Sequence, residues 1–122
     1  MDDPRYKTLA YYERLVLQIK REVVQGVRVP GDKLPSVRDM AKAVQLNPNT
    51  VAKAYKQLEA QGVIEVQPGR GTFIGAQTAA TAEEKQRVRP AFEAAVVSAK
   101  AAGVTLNELQ AWLNAQFEEG QA

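Results

Sequence analysis

Two helix starts lie close together in the middle of this chain. The segment Leu34–Ala41 (LPSVRDMA) leads into Asn47–Tyr55 (NPNTVAKAY), and Gln67–Ile74 (QPGRGTFI) follows. Pro35 precedes Ser36, whose hydroxyl can cap a helix, and Asp39 three residues on sits at the positive end of that helix dipole. Asn47 can cap the next helix, and Pro48 at its first position costs no hydrogen bond. Two helices so closely spaced must meet at a tight turn, and the third segment has the composition of a hairpin with a basic, glycine-rich tip. The pattern predicts a mostly α fold with a small β-hairpin wing, the outline of a winged helix-turn-helix.

The flanking segments complete that outline. Tyr12, Leu15, Val16, Ile19 and Val23 recur at three- and four-residue steps, which predicts an amphipathic helix from about Leu9 to Gln25 with Gly26 just beyond its end. Pro30 and Gly31 suit the two central positions of a type II turn. In the helix that Ser36 opens, Val37, Met40, Ala41 and Val44 make a buried stripe, and Arg38 falls off it.

The helix opened by Asn47 carries the most information about function. Gly62 ends it after roughly four turns. Val51, Ala54, Tyr55 and Leu58 share one arc of its circumference, while Asn49, Thr50, Lys53, Lys56 and Gln57 occupy the opposite one. That second arc holds two cations, two amides and a hydroxyl with no carboxylate, although Glu59 and Glu65 lie nearby in sequence. A solvent-facing arc ordinarily mixes both signs, so the exclusion of negative charge points to a phosphate-lined partner. After Gly62 the period changes: Val63, Ile64, Val66, Thr72 and Ile74 are β-branched and bracket a turn at Pro68–Gly71. Arg70 then stands between Gly69 and Gly71, where backbone can closely approach a phosphate or a minor groove.

Composition narrows the function classes. The chain has 122 residues, enough for one compact domain and a small appendage. It contains neither cysteine nor histidine, which rules out thiolate or imidazole metal ligands, disulfides and the common nucleophile–imidazole pairs, so no metal or cofactor is expected. There is no apolar run near the length of a membrane span, and Met1-Asp-Asp-Pro is acidic with no signal-like apolar region behind it. These features predict a soluble, unexported, cytoplasmic protein without membrane association. Charge is unevenly spread: residues 1–77 carry twelve Lys and Arg against eight Asp and Glu, and residues 78–122 carry four against six. The front is the expected polyanion-facing part and the back the protein-facing part.

The order Val29–Ala41 (VPGDKLPSVRDMA), Asn47–Glu59 (NPNTVAKAYKQLE), Gly62–Glu65 (GVIE) and Gly69–Phe73 (GRGTF) closely resembles the GntR family of bacterial transcription regulators. The resemblance covers about residues 9 to 75. It implies a homodimeric repressor that binds a double-stranded operator with inverted half-sites. It also implies that Ser36 and Arg38 touch DNA at the start of the second helix, that Asn47, Asn49, Thr50 and Lys53 lie at the groove-facing start of the third, and that Gly69 and Arg70 form the wing tip. Arg38 can fork onto guanine, Asn49 can pair with a base edge, and Thr50, Lys53 and Lys56 can reach phosphates. Many family members have glycine where this chain has Gln45, so the turn must either hold Gln45 at positive φ or relax its geometry.

The boundary is expected near residue 77, with a winged helix-turn-helix over 1–77 and a two-helix dimerisation tail over 78–122. Such a short tail resembles the YtrA-type branch of the family, whose members repress operons that often encode membrane transporters. Thr81 with Glu84 can cap one helix entry, and Thr105 with Glu108 another, after Gly103 closes the helix before it. Pro90 either kinks the first tail helix or marks its start at about Arg89. Phe92, Ala95, Val96 and Ala99 line one face of that helix, and Leu106, Leu109, Trp112, Leu113 and Phe117 line the last. Two short helices cannot bury these aromatics between themselves, which points to a second copy, although packing on the first helix is an alternative. An effector is the least legible feature: a small apolar molecule near Trp112 and no effector at all both remain open.

Three other readings make distinguishable claims. A protein-interaction adaptor on the same fold predicts carboxylates on the third-helix face, which this chain lacks. An enzyme would need Glu83, Glu84, Glu118 or Glu119 beside a cation or nucleophile that the sequence does not place there. A non-specific architectural DNA binder would dispense with the groove-reading Arg38, Asn49 and Thr50, and the net charge of only +2 argues against it.

Overall fold

The computed structural model describes residue 7, residues 9–76 and residues 82–119. Its elements run α1 (Tyr11–Val24), β1 (Lys33–Leu34), α2 (Val37–Val44), α3 (Pro48–Ala60), β2 (Ile64–Gln67), β3 (Gly71–Ile74), α4 (Ala82–Ala101) and α5 (Leu106–Glu119). The chain divides into two compact units, Met1–Gln77 and Thr78–Ala122.

In the first unit α1 and α2 both pack against α3. α1 begins two residues after the expected Leu9, with Glu13 Oε1 accepting the Ala10 N–H at 3.3 Å. It ends as expected, with Gly26 at φ 77 and the Val27 N–H donating to the Glu22 carbonyl at 2.8 Å. The turn after it closes through Asp32 N–H to the Val29 carbonyl at 3.0 Å, and Gly31 takes the positive φ that a type II turn demands. Leu15, Ile19, Leu34, Val51, Leu58 and Ile74 are the largest fully buried side chains. Each stabilises the fold by roughly 1.5–3 kcal/mol relative to leaving it in water.

A strand that the sequence pattern does not announce lies at Lys33–Leu34, because two residues are too few for alternation to register. It pairs antiparallel with β3, Lys33 opposite Phe73 and Leu34 opposite Thr72, so the wing is part of a three-stranded sheet of order β1-β3-β2. On the other side of β3, Ile64 faces Ile74 and Glu65 faces Phe73. Alternation then sends Leu34, Ile64 and Ile74 into the core and leaves Lys33, Glu65 and Phe73 on the outer face.

Between α2 and α3 the two options for Gln45 resolve in favour of strain. Gln45 sits at φ 57 and ψ 47, the left-handed region, while its N–H donates to the Ala41 carbonyl. A side chain is thus held where glycine is at ease, at a cost of about 1–2 kcal/mol.

In the second unit α4 is continuous from Ala82 through Pro90, so the helix start at about Arg89 is not what the chain adopts. Proline has no N–H to offer the Gln86 carbonyl one turn earlier. The expected cap at Thr81 lies outside the described residues. Gly103 at φ 86 ends α4, and Thr105 opens α5 with a reciprocal capping box. The Glu108 N–H donates to Thr105 Oγ1 at 3.2 Å, and the Thr105 N–H donates to Glu108 Oε1 at 3.2 Å. No residue of α4 is buried, and Phe92, Trp112 and Phe117 are 55%, 54% and 71% exposed. Val96 and Leu109 are partly covered, and Leu113 is exposed. Among the described residues no helix is long and apolar enough to cross a membrane.

Candidate nucleic-acid interface

The third helix is fixed by its inner arc. Val51, Ala54, Tyr55 and Leu58 are all buried, as the period predicts, so the outer arc is fixed by elimination. Asn49, Lys53 and Lys56 are exposed, and Thr50 and Gln57 partly so. Asn47 caps the helix: its Oδ1 accepts the Asn49 N–H at 2.8 Å. One lone pair of that oxygen is therefore committed to the fold. The first turn of α3 has no acidic residue, so the positive end of its dipole faces outward without a neutralising charge.

The second helix has an exposed start of its own. Ser36 Oγ accepts the Asp39 N–H at 3.1 Å, which leaves its hydroxyl proton free to donate. Arg38 lies in the first turn of α2 and is exposed. What registers α2 against α3 is Tyr55, whose hydroxyl donates to the Pro35 carbonyl at 2.7 Å, immediately before the Ser36 cap. Burial pushes the Tyr55 hydroxyl pKa from 10.0 to about 12, with the Arg28 guanidinium pulling weakly the other way. The tyrosine thus remains a neutral donor at any physiological pH.

The wing tip is a type II turn. The Arg70 N–H donates to the Gln67 carbonyl at 2.9 Å, Pro68 precedes Gly69, and Gly69 takes φ 75. Arg70 projects from this turn and is exposed. Among the described residues no carboxylate forms an ion pair with Arg38, Lys56 or Arg70. Nor does any group of carboxylates there converge as a metal site would require.

Two contacts at this surface escape the sequence pattern. The Tyr55 hydroxyl sits on a residue whose periodicity marks it only as core. Tyr12, likewise placed on the buried face of α1, holds the Lys53 ammonium 4.0 Å from its ring centroid. Both join residues far apart in sequence, and a phenol on an apolar stripe is the one local sign of either.

Comparison with known proteins agrees with this geometry. Residues 11–74 match the family of bacterial regulatory proteins known as gntR. The HTH-type transcriptional repressor YtrA of Bacillus subtilis is 42% identical over 113 residues, spanning 91% of this chain and 86% of that protein. The crystal structure of a transcriptional antiterminator from Listeria monocytogenes superimposes with a TM-score of 0.83 at 33% identity, covering 93% of this chain and 87% of that one. A transcriptional regulator from Oenococcus oeni is similar at 42% identity and TM-score 0.59, over 85% and 88% of the two chains.

Proposed function

This chain belongs to the gntR family of bacterial regulatory proteins and is a DNA-binding regulator of transcription, and from that premise we propose that it acts in the cytoplasm as a homodimeric repressor of an inverted-repeat operator. The observation that carries the reading is the outer arc of α3, where Asn49, Thr50, Lys53 and Lys56 run on from a helix start with no acidic residue in its first turn. Arg38 and Asn49 supply the forked and amide donors that read base edges, and Ser36, Thr50, Lys53 and Lys56 supply phosphate contacts. Gly69 and Arg70 bring the wing to the neighbouring groove. Repression is supported by likeness to a relative named as a repressor; control of a transporter operon rests on resemblance to the YtrA-type branch alone.

The tail, residues 78–122, is the dimerisation unit in this reading. Phe92, Val96, Leu109, Trp112, Leu113 and Phe117 form apolar faces that are largely exposed in one chain, and a twofold partner would cover them while setting two α3 helices at operator spacing. Selection of bound sequences from a randomised duplex pool at physiological salt tests the whole reading. The expected result is an enriched inverted repeat with half-site centres about 34–36 Å, one helical turn, apart. Binding without enrichment would replace it with the architectural binder, and no binding would shift the reading to the adaptor or to a repressor that requires a bound ligand.

A further inference from the structure

The outer face of the sheet carries a cation that the recognition surface does not include. Lys33 pairs with Phe73, and Gly71 lies two residues before Phe73 on β3, so all three share that face. A Cβ built on Gly71 would stand 2.9 Å from Lys33 Cε and 3.6 Å from its Nζ. The lysine stem therefore runs diagonally over bare glycine backbone toward the wing tip, where Arg70 is the next residue. A methyl added at Gly71 would meet only the flexible end of this stem, and the φ of 126 at Gly71 favours glycine there in any case.

Its surroundings leave the ammonium available. Asp32, the preceding residue, uses Oδ2 to accept the Val29 N–H at 2.9 Å. Glu65 lies on the same face but one strand further on, with Phe73 between the two in the register. Among the described residues Lys33 forms no ion pair.

We infer that Lys33 is a phosphate-contacting residue of the wing, its ammonium led over Gly71 to act beside Arg70 on the sugar–phosphate backbone flanking the groove. The inference rests on the assignment of Gly69 and Arg70 to DNA. A compact charge on a flexible stem neutralises a phosphate without reading a base, so Lys33 adds affinity to every duplex alike. The bare backbone of Gly71 gives the lysine stem its path toward the tip.

Anisotropy titrations of the full chain, with the selected operator and with an unrelated duplex, test this between 50 and 200 mM salt. Lys33→Met is expected to weaken both duplexes similarly and to lower the salt slope by about one, so that the variant loses about threefold less affinity across that range than the wild type. Lys33→Arg should keep the slope. An unchanged slope for Lys33→Met while Arg70→Met lowers it would overturn the role of Lys33 and leave the wing assignment standing. Unchanged slopes for both, with wild-type binding intact, would overturn the wing assignment as well.

Discussion

The Lys53 ammonium in α3 stands 4.0 Å from the ring centroid of Tyr12 in α1. One of the cations on the proposed DNA face is thus anchored by the scaffold helix behind it. A tethered cation gives up less rotamer freedom when it meets a phosphate than a freely rotating one. The ring also ties the middle of α3 to the beginning of α1.

That pairing is measurable without DNA. Urea unfolding of Tyr12→Leu, Lys53→Met and the double variant should give a coupling of about 0.5–1 kcal/mol, the usual worth of an exposed cation over an aromatic face. Tyr12→Phe keeps the ring and should keep the coupling. Additive single effects would show that the ring and the ammonium do not interact.

Arg38 and Lys56 should fail in different ways. Arg38→Ala is expected to lose about 1–3 kcal/mol on the selected operator and to relax sequence choice, whereas Lys56→Ala should weaken all duplexes evenly and lower the salt slope by about one. Equal losses on operator and random duplex for Arg38→Ala would remove it from base reading.

The tail makes a prediction about assembly. Leu113→Glu combined with Phe117→Glu puts charge on two exposed apolar positions of α5, so sedimentation should show a monomer. Affinity for the complete operator should fall by about 10²–10⁴, the avidity of two linked half-sites, with half-site binding retained. A dimer that survives this change would place the interface elsewhere.

Tyr55 should give the fold a specific alkaline limit. Its folded pKa, about 12, lies above the ordinary 10.0, so the neutral phenol is favoured by the native state. That contribution is fully present below pH 10 and is lost as pH rises toward 12, on the order of 2 kcal/mol in all. Tyr55→Phe should be less stable at pH 7 by about 1–2 kcal/mol, because the Pro35 carbonyl loses its donor. The stability gap to wild type should then narrow between pH 10 and 12.

At the turn between α2 and α3, Gln45→Gly should raise stability. Removing the side chain relieves about 1–2 kcal/mol of left-handed strain and returns part of it as glycine chain entropy, for a net gain of about 0.5–1 kcal/mol. A lower unfolding midpoint would show that the glutamine side chain itself contributes to the turn.

Local chemistry is legible in the sequence. Ser36, Asn47 and Thr105 cap as their spacing predicts, because a cap depends on a few neighbouring residues. The buried stripe of α3 follows from its period for the same reason. Gln45 could be read only as a choice, since either geometry is compatible with the flanking residues. Three features were silent: the pairing of β1 with β3, the ring of Tyr12 under Lys53, and the hydroxyl of Tyr55 on Pro35. Each joins segments that only the finished fold brings together. The residues proposed to face DNA could be listed from sequence, and so could the cap that occupies the Asn47 oxygen.

The two-residue strand β1 has a mechanical consequence. Leu34 is paired to the wing through Thr72, and two residues later Ser36 opens α2. A wing hinged on its own hairpin alone could sample its groove independently of the helices. Here it is stitched to the residue pair that leads into α2, and α2 is in turn pinned to α3 through Tyr55. Displacing the tip of such a lever displaces the helix starts with it, so in the proposed complex wing and helix would meet their grooves as a single stiff body.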